Sequence, residues 1–187
     1  MATQIKRIGF GQVEPNHLSG IVTGQIYAQL PAANVEGEGA AAKKTPIAQL
    51  EQGQFAKYDY AAGVVHFKGD GEFMLVYNEE KLYDERKQAH KDFVYKATDF
   101  TDKFMYPRLI KTNIGDIFTT NTFGEANTSA DTEVSTSVSL SVGDKLYVGD
   151  DGFLTTTQAT DAIPVFKVVA ETTMPDCVNK GVKIQRI

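Results

Sequence analysis

The chain has 187 residues, 42% of them hydrophobic and 23% charged, with a formal net charge of −5. That length suits one domain, or one domain with a smaller lobe, and folding at this size buries enough surface to need no covalent staples. The acidic balance disfavours a phosphate-binding groove. The one cysteine excludes an intrachain disulfide or a multi-cysteine metal site, and no run approaches the ~18 apolar residues of a membrane-spanning helix.

The first residues, MATQIKRIGFGQVEPN, lack the apolar core of a signal peptide, so folding in a reducing cytoplasm is expected. Residues 1–19 carry few large apolar side chains and a proline, Pro15, and read as a flexible arm. GIVTGQIYAQL (20–30) is β-branched and aromatic with Gly24 inside it, which predicts a strand with a bulge or bend. PAANVEGEGAAAKKTP (31–46) offers almost nothing large to bury and reads as an exposed loop, with 35–44 as a second mobile arm.

Three strands are expected next. Residues 55–60 lead to a small-residue turn at 61–63. Residues 64–67 then pair with 72–77 across KGDG, where Asp70 and Gly71 suit a tight reversal. The apolar run FMLVY implies a strand covered on both faces. Asn78 is placed to cap one short surface helix over EEKLYDERKQAHK (79–91), acidic at its start and basic at its end. Strand character returns in 92–100, 108–112 and 115–123.

Between 124 and 137 the chain turns small and polar. This suggests a linker or long loop at 126–137, between a β-rich part (1–125, with the exposed loop at about 31–46) and a small C-terminal β-domain (138–187). In that last part, SVGDKLYVGDDGFLTTT reads as strands at 145–148 and 153–157 joined by the GDDG turn. Leu146 and Val148 would face one way and Tyr147 the other. AIPVFKVVAET (162–172) and KGVKIQRI (180–187) complete the set. The fold class expected is mostly β: an antiparallel barrel or sandwich built from hairpins, with one short surface helix and extended loops or arms.

Residues able to do chemistry are few. His17 lies in an expected loop, His66 inside a strand and His90 in the charged segment, and no G-x-S-x-G elbow accompanies them. Cys177, in MPDCVN, has no histidine near it in sequence. GFG (9–11) and GDG (69–71) fall short of a phosphate-loop or dinucleotide fingerprint. Asp144, Asp150 and Asp151 cluster as calcium ligands do, but without the spacing of a twelve-residue calcium loop, and Asp-Gly is ordinary hairpin chemistry. Glu79 and Glu80 suit the solvated first turn of a helix better than paired acid–base work. Tyr58, Tyr60, His66 and Phe67 could line an oligonucleotide-binding face, yet the basic residues such a face needs are sparse. No catalytic, cofactor-binding or metal-binding residue is therefore assigned, and no cofactor is expected.

The C-terminal segment (139–187) resembles the small β-domains of tailed-bacteriophage head-decoration (capsid cement) proteins and related virion proteins. The resemblance rests on Gly143, Asp144, Leu146, Tyr147, Val148, Asp151, Gly152, Leu154 and Thr155 in the hairpin, then on Pro164 and Val165, then on Val182, Lys183 and Ile184 in the closing strand. It implies a virion structural protein without catalysis, made in the host cytoplasm. Its partners would be the major capsid protein and copies of itself, often as a trimer, with neither membrane nor direct nucleic-acid binding. Two other classes stay open. One is a β-barrel gripping a carbohydrate or other small molecule through Tyr58, Tyr60 and Tyr106. The other is an enzyme using His66 or His90 with a nearby carboxylate.

Overall fold

The computed structural model describes residues 2–37, 42–69, 71–78, 93–129, 131–158 and 165–187. Along the chain run β1 (Thr3–Ile5), β2 (Val13–His17), a single-turn helix α1 (Ser19–Val22), β3 (Ile26–Tyr27), β4 (Ala33–Glu36), β5 (Lys43–Pro46), β6 (Gln49–Glu51), β7 (Phe55–Asp59), β8 (Val64–His66) and β9 (Phe73–Val76). There follow β10 (Val94–Lys96), a 3-10 turn (Ala97–Asp99), β11 (Leu109–Ile110), β12 (Ile117–Thr120), β13 (Val138–Leu140), β14 (Lys145–Val148), β15 (Leu154–Thr155), β16 (Phe166–Thr173) and β17 (Lys180–Arg186).

Alternation of side chains explains how these strands layer. On β7 and β9, Phe55 lies opposite Leu75 and the next pair is Ala56 with Met74. Successive residues face opposite sides of a sheet. Phe55 and Leu75 accordingly enter one apolar cluster, and Ala56 and Met74 another. The five-stranded sheet β3-β11-β9-β7-β8 is thus covered on both faces. Its first face meets the six-stranded sheet β15-β14-β16-β17-β12-β2, which contributes Leu146, Phe118, Phe166, Val168 and Ile184 to the shared core. Three rings meet there: Phe166 lies 5.2 Å from Phe55 and 5.5 Å from Phe118, centroid to centroid, in tilted and edge-on arrangements. The strand ladders are all antiparallel, completed by the two-stranded pairs β1-β13, β6-β10 and β4-β5. The protein is mostly β and sandwich-like, with no closed barrel among the described residues.

The strand expected over 55–60 is β7, and FMLVY forms β9 and its flank, buried on both sides. The hairpin expected from 145–148 and 153–157 is β14–β15, its second strand shortened to Leu154–Thr155, with Leu146 in the core and Tyr147 on the other face. β16 and β17 pair along their length, broken by a bulge between Val168 and Ala170 that shifts the alternation there.

Four expectations are corrected. Residues 20–30 do not form one strand. They make α1, a turn at Gly24 (φ +72°) and the two-residue β3, because Gly20 packs so closely on the Lys111 carbonyl that a Cβ would collide with it. The segment 31–46 contains the β4–β5 ladder, running from Ala33 opposite Pro46 to Glu36 opposite Lys43; main-chain pairing needs no large side chains. Residues 64–67 and 72–77 do not pair with each other: β8 and β9 lie on opposite edges of β7. Finally, the described residues 2–19 are no arm. β1 and β2 are laddered, and Ile5, Phe10, Val13 and Leu18 are buried.

The surface helix expected at 79–91, with Glu79, Glu80 and His90, lies outside the described residues, as do Asp70 and Pro164. β2 and β12 come before the polar stretch 126–137 and β14 to β17 after it, so hydrogen bonding and core run across that stretch.

Candidate functional site

The turn joining β14 to β15 is held by its own main chain and by β7. Gly149 N–H donates to Phe153 O (2.8 Å), Phe55 N–H to Gly152 O (2.8 Å), and the Gln54 side chain to Asp151 O (2.8 Å). Gly152 has φ +81°, and a Cβ on it would collide with the Phe55 carbonyl and the Phe67 ring, so only glycine fits. The Asp151 carboxylate accepts from Phe153 N–H (3.1 Å) and Asp144 from Ser141 N–H (2.8 Å). These aspartates fasten turns. Asp150 is exposed.

Beside this turn runs an open groove of about 720 Å³, lined by residues 136–139 on one wall and by 149–151 and 153–157 on the other, with Gly124 between. Its lining is rich in hydroxyls, holds two carboxylates and, among the described residues, no lysine, arginine or histidine. The 136–139 wall is fixed by β1, which pairs with β13, and by Gln4, whose side chain reaches Ser137 Oγ (3.1 Å). The Glu125 carboxylate accepts from Ser135 Oγ and from Thr136 N–H. Those bonds, the Ser135 hydroxyl first, hold its pKa below the usual carboxylate range.

Behind the groove lies a buried polar assembly. Arg7 and Glu51 are 1% and 0% exposed and joined at 2.8 Å. Arg7 also donates to Phe123 O and Glu125 O (2.7 Å each) and lies over the Phe153 ring at 5.4 Å. Glu51 accepts from Gly11 N–H (2.7 Å), Asn127 N–H and the Gln49 side chain. Burial pushes the Arg7 guanidinium below its ordinary pKa, and the Glu51 carboxylate opposes that shift. The Asn127 side chain donates to Gly9 O and Thr132 O (2.6 Å each). Together these bonds strap residues 123–132 to the sheets.

A second assembly centres on Asp176, which accepts from Gln12 Nε2 (2.7 Å), Asn179 Nδ2 (2.6 Å) and the Val178 and Asn179 N–H groups. Burial pushes its carboxyl up, but the bonds from Gln12, Val178 and Asn179 outweigh that and hold it below the usual value. Nothing in the spacing of Arg7, Glu51, Gln12 and Asn127 marks them as interior, or the half-buried Asp176 as a hub of hydrogen bonds.

The singled-out histidines divide. His17 is exposed at the end of β2, and His90 is outside the described residues. His66 is buried on β8 and meets Asp59 (Nε2–Oδ2 3.2 Å), so a histidine and an acid do come together. Asp59 also accepts from Ala62 N–H (2.9 Å), and that bond, ahead of the one to His66, lowers its pKa. Gly69 packs directly on the imidazole. The pair clasps the β7–β8 turn. Cys177 is exposed at φ +61°. Tyr58 is buried, with the edge of the 71%-exposed Tyr60 ring against it at 5.0 Å, and Tyr106 is half exposed; none of the three lines the groove. Among the described residues, no group of three or more His, Cys, Asp or Glu side chains is arranged to hold a metal.

Fold and site together define a sandwich-like β-protein with a polar groove at one sheet edge. Comparison with protein-family models, with curated proteins and with solved structures returned no match.

Proposed function

We propose that the chain is a non-enzymatic virion structural protein, an auxiliary or decoration component that binds and stabilises a capsid lattice together with copies of itself. The observation that carries this reading is the use made of the side chains that could do chemistry: Asp144, Asp151, Asp59 and Asp176 all accept main-chain N–H groups, and His66 closes a hairpin. Such side chains shape a surface. The hairpin and closing strand on which the resemblance rests are joined through one core, with Leu146, Leu154, Val182 and Ile184 buried together. A rigid β-surface repeated over a lattice gains binding strength from many weak contacts at once.

The test is quantitative mass spectrometry of gradient-purified particles from cells producing both this chain and its virus. The chain is expected at a fixed ratio to the major capsid protein, retained through repeated banding. Its loss on washing, or a ratio that varies between preparations, refutes the assignment.

A further inference from the structure

The outer face of the six-stranded sheet collects positive charge that its own surroundings do not balance. Alternation fixes which side chains stand on it. Leu146 on β14, Phe166 and Val168 on β16, and Val182 and Ile184 on β17 all enter the core. Their neighbours Lys145, Lys167 and Lys183 therefore project from the opposite side, where Lys145 and Lys167 are exposed and Lys183 is half-buried. Lys145 lies directly opposite Lys167 on the β14–β16 ladder, and Lys167 opposite Gln185, two residues along β17 from Lys183. Like charges directly opposed across a ladder are destabilising. None of the three lysines forms an ion pair among the described residues. The acid on this face among the described strands, Glu14, sits on the far side of β12, opposite Thr119. An anionic surface laid over the face relieves the repulsion.

We infer that this lysine face docks on the acidic β14–β15 turn of a second copy of the same chain, in a head-to-tail contact. Both halves of the contact are present on every copy. Asp150 and Asp151 are exposed at the turn, meet no cation among the described residues, and line a groove that holds no described basic side chain. Lys145 and Asp150 lie at opposite ends of β14, roughly 15 Å apart in extended chain, so the two patches do not neutralise each other within one copy. Three positive charges gathered on one face of a chain of net charge −5 leave the rest of its surface more acidic still. Nucleic acid is a poorer occupant, because it rewards many lysines and arginines, and this face has three lysines and no arginine among the described strands. Since the two patches differ, the contact repeats from copy to copy into a ring or an open array. The inference goes beyond the virion reading by naming the contact between copies. It does not rest on that reading, because the purified chain carries both patches.

The experiment is sedimentation velocity of the purified full-length chain at physiological salt, from micromolar to about millimolar concentration, where contacts built from exposed ion pairs are measurable. The wild type is expected to associate reversibly as concentration rises. Lys145→Glu/Lys167→Glu and Asp150→Lys should each weaken association about tenfold or more. An equimolar mixture of these two variants should associate again, because the intact lysine face of one meets the intact turn of the other. The double lysine variant exchanges one like-charge pair for another and Asp150 is exposed, so both variants are expected to keep the wild-type melting temperature. A chain that stays monomeric throughout, association indifferent to either reversal, or a mixture that stays apart would each overturn the inference. So would capture of polyglutamate or single-stranded DNA on the lysine face of a monomeric chain, which would assign that face to a foreign polyanion. None of these outcomes bears on the particle ratio that tests the virion reading.

Discussion

Arg7→Met tests whether the interior ion pair organises the fold. Arg7 is 1% exposed and meets a carboxylate that is 0% exposed, so neither charge has water to fall back on. Methionine keeps a flexible apolar stem of similar reach but removes the bond to Glu51 and the donors to Phe123 O and Glu125 O. Glu51 then remains as a buried anion with only its N–H and Gln49 partners. Removing one member of such a pair costs about 3–5 kcal/mol. For a domain of this size each kcal/mol lowers the melting temperature by about 2–4 °C, giving a fall of roughly 6–20 °C. Urea unfolding of the wild type, Arg7→Met, Glu51→Gln and the double variant forms a complete cycle. The double variant should lose less than the sum of the singles, with a coupling of about 0.5–3 kcal/mol, because it leaves no uncompensated charge. Single variants costing under about 0.5 kcal/mol, as surface changes do, or strictly additive losses, would refute the reasoning.

Further outcomes are expected. Asp176 has a folded-state pKa below its ordinary value of 3.8, so its stabilisation is complete above that pH and disappears as pH falls through the folded value. Asp176→Asn should therefore cost about 1 kcal/mol at neutral pH and flatten the acid limb of the stability–pH curve, measured by denaturant titration from neutral pH downward. An unchanged acid limb would contradict the bonding described. Gly152→Ala should destabilise well beyond Gly143→Ala: both have positive φ, but a Cβ at Gly143 meets open space and adds only backbone strain of about 1–2 kcal/mol. Equal melting temperatures for the two variants would disprove the steric argument. Phe55→Ala removes a ring packed on both Phe118 and Phe166 and should cost about 3–5 kcal/mol by calorimetry, against less than about 0.5 for Tyr60→Ala. Cys177 should be alkylated by a maleimide in the folded protein, with no change in the far-ultraviolet spectrum.

Where the fold was legible, the signal was alternation around a strong turn. β14 and β15 flank an Asp-Gly turn and β16 and β17 carry apolar alternation; all four overlap the expected ranges, β15 as two residues only. Pairing is a different matter. KGDG pointed to a hairpin, but β7 took β8 on one edge and β9 on the other, a choice made by packing on both faces of the sheet. The β4–β5 ladder escaped because its side chains are small or charged while its main chain makes the bonds. The polar interior escaped for a related reason: Arg7, Glu51 and Asn127 look like surface residues, and only their mutual contacts make burial tolerable. The groove was half visible. GDDG marked one wall, but its opposite side, 136–139, begins inside the polar stretch 126–137 that reads as a linker, and β1 pairs with it only from Val138 on.

The wide sheet places β12 between β2 and β17, joining residues 13–17, 117–120 and 180–186 edge to edge. On the ribosome, that arrangement keeps β2 waiting for a neighbour that emerges about a hundred residues later. Closing such long loops before any ladder rewards it makes folding slow and leaves unpaired edges exposed meanwhile. Cells making this chain quickly are therefore expected to accumulate it in aggregates at high temperature, and slower synthesis or a holding chaperone should raise the soluble yield.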